Sequence, residues 1–341
     1  IYSSGVIQKR VSIYNAIISG YQAAGYQEIV DESSFKGYII HTLYSYASEE
    51  LQVGDIITKF EGKELKGLTG NNEFEVATEN LLFEKDKKYW QSVFSSVPEV
   101  ARIPSENKNL CDDIECLAKR NTYKINNETM NSINAFCKQN KISVFNFMTA
   151  IYSLYISRTT GLKDFVLGTP ILNRTNFVEK NTTGMFVSTV PLRINLENVD
   201  SFTELTKDIA TNNMSMLRHQ KYPYELILKD LRNKQPNLPN LYNILISYQI
   251  TAVTECELNY TTNWAFNGNC ADDLQIHILD INSTGELNIF YDYKSALYTS
   301  KEIDDIHNRI LYIINQILSN DNSLLNNIEI VTNEDKQNLL Y

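Results

Sequence analysis

The sequence predicts an α/β fold of the two-layer α+β kind, built on a mixed sheet, with a small β-rich unit at its N-terminus. Three observations carry this expectation. Helix-period and strand-period segments alternate along most of the 341 residues, as in layered mixed-sheet domains rather than bundles or sandwiches. The segment Val144 to Arg158 (VFNFMTAIYSLYISR) is apolar almost all round, which marks a buried helix. Gln275 to Ile281 and Glu286 to Tyr293 alternate with period two about the turn Asn282-Ser-Thr-Gly285, which marks a hairpin.

In chain order, Ser12 to Ala24 is predicted as a short helix, with Ser12 as its cap and Gly25 at the left-handed position beyond it. Phe35 to Leu43 reads as a strand, followed by a turn at Gly54-Asp55, a strand at Ile56 to Phe60 and a reversal at Glu61-Gly62. The Gly/Asn-rich stretch from Leu65 to Glu79 separates two units, residues 1–75 and 76–341. Asn80 to Trp90 is an exposed helix with one aromatic anchor, and an irregular polar stretch follows Pro98 and Pro104.

Helices are expected over Glu128 to Gln139 and over the buried segment already named. Asp164 to Leu172 and Gly184 to Ile194 are strands, the second holding Pro191 and so placed at an edge or bulge. Ser201 and Glu204, like Thr299 and Glu302, have capping-box spacing and open helices reaching Arg218 and Leu318. Tyr242 to Gln249 is a strand. Asp272-Asp273 reads as a solvated turn.

Composition limits the function classes. Hydrophobic residues make up 43% and charged residues 21%, the balance of a folded chain. The net charge of −10 is the wrong sign for nucleic acid or an anionic membrane surface, and no run approaches the roughly 18 apolar residues that span a bilayer. Five cysteines without C-x-x-C spacing and four scattered histidines form no zinc pattern. No metal site is expected, and the cysteines read as reduced thiols in a cytoplasmic protein. Nucleophile-elbow, zinc-protease, P-loop and dinucleotide-binding signatures are absent from the sequence.

Six stretches stand in a recognisable order: KYW (Lys88 to Trp90), DFVLGTPILNR (Asp164 to Arg174), GMFVSTVPLR (Gly184 to Arg193), HQKYPYELI (His219 to Ile227), LPNLYNILISYQ (Leu238 to Gln249) and GELNIFYDY (Gly285 to Tyr293). Together they resemble the C-terminal lobe of a condensation domain from a nonribosomal peptide synthetase. The resemblance covers about residues 80–341 and implies a chloramphenicol-acetyltransferase-like lobe. It also implies amide-bond formation between acyl and aminoacyl groups carried as phosphopantetheine thioesters on carrier proteins, with no cofactor bound directly.

The family's HHxxxDG motif has no counterpart, because the sequence contains no adjacent histidine pair. No catalytic residue is therefore assigned. The resemblance implies a complementary N-terminal lobe as a partner, without which the chain would be inactive. Carried over position by position, Arg174 would pair with the Asp of that motif. Gly184, Met185, Phe186, Val187, Ser188 and Thr189 would line the channel floor, followed by Arg193, and Ser188 stands where the family usually has Asn. His219, Gln220, Pro223 and Glu225 match a loop between helices, His219 being read as structural; Lys221 and Tyr224 depart from the common Asp and Phe. His277 and His307 are read as without function.

The segment Phe35 to Leu65 resembles a bacterial PDZ domain, truncated after Leu65. That resemblance implies a loop of Phe35, Lys36, Gly37 and Tyr38 that captures peptide C-termini by β-augmentation. The alternative to a synthetase fragment is thus a non-catalytic peptide-binding or scaffolding protein.

Overall fold

The computed structural model describes residues 73–106, 117–251, 265–281, 287–320 and 324–338, with four two-residue strands before them. It divides into two compact units, Ile1–Lys85 and Asp86–Tyr341. In the first, Tyr38–Ile39 pairs antiparallel with Ile56–Ile57, and Lys59–Phe60 pairs antiparallel with Lys63–Glu64; the expected Glu61-Gly62 reversal lies outside the described residues. The expected helix at 12–24, the Gly54-Asp55 turn and the loop residues Phe35, Lys36 and Gly37 lie outside the described residues.

Helix α1 (Glu73–Val93) begins earlier than expected, so the unit boundary placed at 75/76 falls inside it. The second unit continues with β1 (Ala118–Ile125), α2 (Asn127–Asn140), α3 (Val144–Thr160), β2 (Asp164–Ile171), α4 (Phe177–Asn181), β3 (Ser188–Asn195), α5 (Phe202–Arg218), α6 (Tyr224–Arg232), β4 (Ile244–Thr251), β5 (Leu274–Ile281), β6 (Leu287–Lys294), α7 (Ser300–Ser319) and α8 (Asn333–Asn338). The six strands form one sheet in the order β1-β6-β5-β4-β2-β3. β4 runs parallel to both β2 and β5, and the remaining pairs are antiparallel. The sheet is mixed, as expected.

Local chemistry explains the helix limits. Asn126, Ser143, Ser201 and Thr299 each accept a backbone N–H three residues on, and Thr299 with Glu302 completes the reciprocal box. Gly161 ends α3 at φ 77°, where a residue with a Cβ would be strained.

The Tyr291 hydroxyl meets that of Tyr152 on α3 at 2.7 Å and lies 3.3 Å from His307 Nδ1 on α7. This identifies the face of β6 carrying Leu287, Ile289, Tyr291 and Tyr293 as the one the helices cover, and all four are buried. α3 is buried along its length as predicted, and α7 contributes Ile303, Ile306, Ile310, Ile313, Ile314 and Ile317 to the same core. Burying such side chains contributes about 1.5–3 kcal/mol each.

Several expectations need correction. β1 occupies part of what reads as an irregular polar stretch. It is an edge strand (AKRNTYKI) with one fully buried end residue, so its sequence lacks the apolar alternation that marks strands. The strand expected from Gly184 starts at Ser188, and Pro191 on it sits opposite Gly168 at the other edge of the sheet, where a missing N–H costs least. Asp272-Asp273 is not a solvated turn. Asp273 is buried and receives Arg102 Nε at 2.7 Å and Lys294 Nζ at 3.2 Å. Burial raises the Asp272 carboxyl above its ordinary value, with Gln275 as its hydrogen-bond donor.

Gly168 is a packing requirement. A Cβ built there would lie 2.4 Å from the ring of Tyr242, which is itself buried between strand and helix. Gly168→Ala is expected to lower stability by about 1–3 kcal/mol through overpacking. Urea unfolding checks this, and an unchanged midpoint would show that the ring moves aside freely.

Candidate functional site

The carried-over residues concentrate at one end of the sheet, where β2 leaves and β3 enters. Between them, residues 172–187 form an internally braced segment. Asn173 turns the chain at φ 50°, and Asn176 caps α4 by accepting from the Glu179 N–H at 2.8 Å. Arg174 donates to the carbonyl oxygens of Glu179, Thr182 at 2.6 Å and Gly184 at 2.8 Å. Its guanidinium lies 4.2 Å from the centre of the Phe186 ring. Arg174 therefore organises its own segment, with backbone carbonyls where the resemblance implied an Asp partner.

Glu179 is a second brace. Its carboxylate accepts from the Thr175 N–H at 2.6 Å and from Lys221 Nζ at 2.8 Å. Burial opposes its ionisation, but the Lys221 ammonium and the Thr175 donors outweigh that and bring the pKa down to about 2. Lys221 also donates to the Asn173 carbonyl at 2.9 Å. The Lys that departs from the family's Asp is thus the cation that holds this carboxylate.

The braced segment presents apolar side chains outward. Met185 is 93% exposed, Leu172 74%, Phe177 65% and Val187 55%. Isolated exposed apolar residues are ordinary, and these four fall within sixteen positions of one braced segment. Ser188 and Thr189 open β3 opposite Ile171 and Pro170, and the Thr189 side chain hydrogen-bonds Tyr242.

The other assigned residues lie around the α5–α6 connection and the end of α1. His219 Nδ1 is 2.7 Å from Asp86 Oδ1, its ring stacks on Tyr89 at 4.0 Å, and its carbonyl accepts from Trp90 Nε1 at 3.0 Å. Gln220 closes the turn by donating to the Leu217 carbonyl at 2.7 Å, and Pro223 starts α6. Arg193 clasps Asp164 with both Nε and Nη2, and its Nη1 donates to the Val93 carbonyl at the end of α1. Its guanidinium pKa is raised, chiefly by the hydrogen bonds to Asp164.

One arrangement escaped the sequence. On the sheet face opposite the core helices, the Ser247 hydroxyl is 2.7 Å from His277 Nδ1, and His277 Nε2 is 3.5 Å from Asp292 Oδ2. Serine, imidazole and carboxylate in a row are the elements of nucleophilic catalysis. Here, however, Ser247 is 1% exposed, and Asp292 is held by Arg120 through bonds of 2.6 and 2.7 Å. The row binds β4, β5, β6 and β1 together. Strand register alone could have found it, since Ser247 faces His277 and Asp292 faces Arg120 across neighbouring strands.

Among the described residues no group of three or more His, Cys, Asp or Glu side chains is placed to hold a metal ion, and no helix is long and apolar enough to cross a membrane. The cysteines Cys137 and Cys270 are buried and free, and burial pushes both thiols up to about 12.

Comparison with known proteins gives this arrangement a lineage. The chain is 35% identical over 259 residues to surfactin synthase subunit 1 of Bacillus subtilis (strain 168), which is 76% of this chain and 7% of that one. It is 24% identical over 311 residues to gramicidin S synthase 2 of Brevibacillus brevis, covering 88% of this chain and 7% of the relative. It thus spans less than a tenth of the length of either relative.

Among solved structures, the condensation domain from Monacolin K polyketide synthase MokA superposes with a TM-score of 0.61 at 18% identity, covering 74% of this chain and 60% of that one. The X-domain complexed with OxyB from teicoplanin biosynthesis gives 0.64 at 12% identity, covering 76% and 58%. At these identities the likeness establishes the fold. The condensation-domain profile matches residues 73–340, from the start of α1 almost to the end of the chain. The mixed sheet, its helical layer and the braced segment between β2 and β3 are therefore those of a protein that belongs to the condensation-domain family.

Proposed function

We propose that residues 76–341 act as the C-terminal lobe of a nonribosomal-peptide condensation domain, joining an acyl or peptidyl thioester on one phosphopantetheine carrier to the amine of an aminoacyl thioester on another. The observation that carries this reading is the exposed apolar rim of Leu172, Phe177, Met185 and Val187. Of these, Met185 and Val187 stand in the stretch Gly184 to Thr189, which by resemblance matches the family's channel floor.

The reaction needs the amine nitrogen to attack the thioester carbonyl carbon. The C–S bond then breaks, and the amine proton passes by way of a general base to the leaving thiolate. This chain supplies no histidine pair for that transfer, and a base must lie within hydrogen-bond reach of the proton it takes. In this reading the base comes from an HHxxxDG-bearing lobe seated against the rim, and the residues here shape and wall the channel. Ser188 and Thr189 stand at its floor, while Arg174 and Glu179 keep the rim in shape. The free thiols of Cys137 and Cys270 fit a reducing, cytoplasmic setting.

The test is reconstitution. A separately produced condensation lobe carrying HHxxxDG is mixed with this chain and two loaded carrier proteins, one acylated and one aminoacylated. Amide product is expected only when both proteins are present. Met185→Asp and Val187→Asp, on the rim, should weaken association of the two proteins by at least tenfold, about 1.4 kcal/mol. Absence of both product and association would overturn the reading.

A further inference from the structure

The connection between α5 and α6 grips two separate parts of the chain within three residues. On one side His219 holds α1: its imidazole bonds Asp86 and stacks on Tyr89, and its carbonyl takes the Trp90 indole N–H. Residues 86, 89 and 90 lie on one face of the helix. On the other side Lys221 holds the rim segment through the Glu179 carboxylate and the Asn173 carbonyl. Glu179 then fixes Thr175, and Arg174 gathers three carbonyls around Phe186. A continuous path of directional contacts thus runs from α1 to the apolar rim.

We propose that the His219–Lys221 connection is a coupling clamp, through which the seating of α1 sets the order of the rim segment. His219, Lys221 and Glu179 are then positioning residues, and the clamp regulates the channel surface described above. Its importance to function rests on that reading; the coupling itself does not. Physical coupling requires that a change at one end alter the other without touching it. Asp86 contacts His219, and nothing of the rim segment is among its described contacts.

The experiment is hydrogen exchange by mass spectrometry on the whole chain, with thermal melting to confirm folding. Lys221→Met is expected to speed exchange of the Thr175, Glu179, Lys180 and Thr182 amides about tenfold, since their bonds close the segment. Lys221 is 40% exposed, so the variant should fold. Lys221→Arg, which keeps a cation for the Glu179 carboxylate and a donor for the Asn173 carbonyl, should retain most of the protection, which a role in packing alone would not require. The decisive variant is Asp86→Ala, which should accelerate the same four amides along with those of α1. If Asp86→Ala loosens α1 and residues 219–223 while the four amides keep their protection, the clamp does not couple. No change in Lys221→Met overturns it equally. Neither outcome involves carriers or a second lobe, so failure here is distinct from failure of the condensation reading.

Discussion

Asp292→Ala is expected to lower the free energy of unfolding by about 3–5 kcal/mol, the range for removing one partner of a buried ion pair. The Asp292 side chain is 6% exposed and that of Arg120 12%. The guanidinium is fixed by both carboxylate oxygens and lies 4.7 Å and 5.0 Å from the ring centres of Phe266 and Phe290. Deleting the carboxylate removes two charge-assisted hydrogen bonds from that half-buried cation and the Asp292 contact of His277 Nε2. The Asp292 carboxyl is held below its ordinary value; burial opposes this, but Arg120 and then His277 prevail. Asp292 is thus ionised throughout the neutral range.

Urea unfolding at pH 7 measures the loss. The double variant Arg120→Met with Asp292→Leu should recover most of it, because apolar groups of similar volume need no counter-charge. A loss below about 1 kcal/mol would place the pair with exposed ion pairs, which contribute that little. It would also mean that the row from Ser247 to Arg120 does not hold the four strands together.

Much of the second unit was legible in the sequence because its signals are local. Ser201 and Thr299 announce their helices through side-chain acceptors, and the isoleucines of α7 repeat with helical period. The β5–β6 pairing follows from alternation alone. What failed was set by tertiary partners. β1 is polar because it lies at the sheet edge, and its strand character comes from pairing with β6. Asp273 reads as turn material, yet Arg102, from 171 residues away, draws it inside. At the candidate site the sequence marked Arg174 without showing what it binds. Its three carbonyl acceptors lie five to ten residues downstream, and only the fold of the segment turns them inward. Glu179 carried no signal, since its meaning depends on Lys221, which is 42 residues away.

Acid should destabilise the chain in a window set by His307, and the sign follows from where the proton binds. His307 is 4% exposed on the core face of α7. Its ring stacks on Tyr123 with centroids 3.9 Å apart, and its Nδ1 faces the Tyr291 hydroxyl. Burial disfavours the imidazolium, Asp304 opposes that weakly, and the net effect is to push the pKa from 6.5 down to about 4. Above pH 6.5 the imidazole is neutral in both folded and unfolded chains, and the full stability is present. As the pH falls below that, the unfolded chain takes up a proton that the folded one refuses. Stability therefore declines until the folded imidazole is protonated near pH 4. Integrated over that interval, the loss is roughly 3 kcal/mol. The carboxylates of Asp292, Asp335 and Glu302, all held below their ordinary values, add to acid sensitivity mainly at lower pH.

Replacing His307 by Phe keeps an aromatic ring against Tyr123 and removes the titration. The variant should therefore lose about 3 kcal/mol less than the parent between pH 7 and pH 4. Urea unfolding of both proteins at several pH values gives the difference directly. Parallel curves would mean that the buried imidazole gains a counter-ion or water on protonation, and that the tyrosine cluster of Tyr123, Tyr152 and Tyr291 is more open than its burial indicates. A parent curve that steepens below pH 6.5, beside a flat variant, would identify His307 as the group whose protonation first opposes the packing of α7 on the sheet.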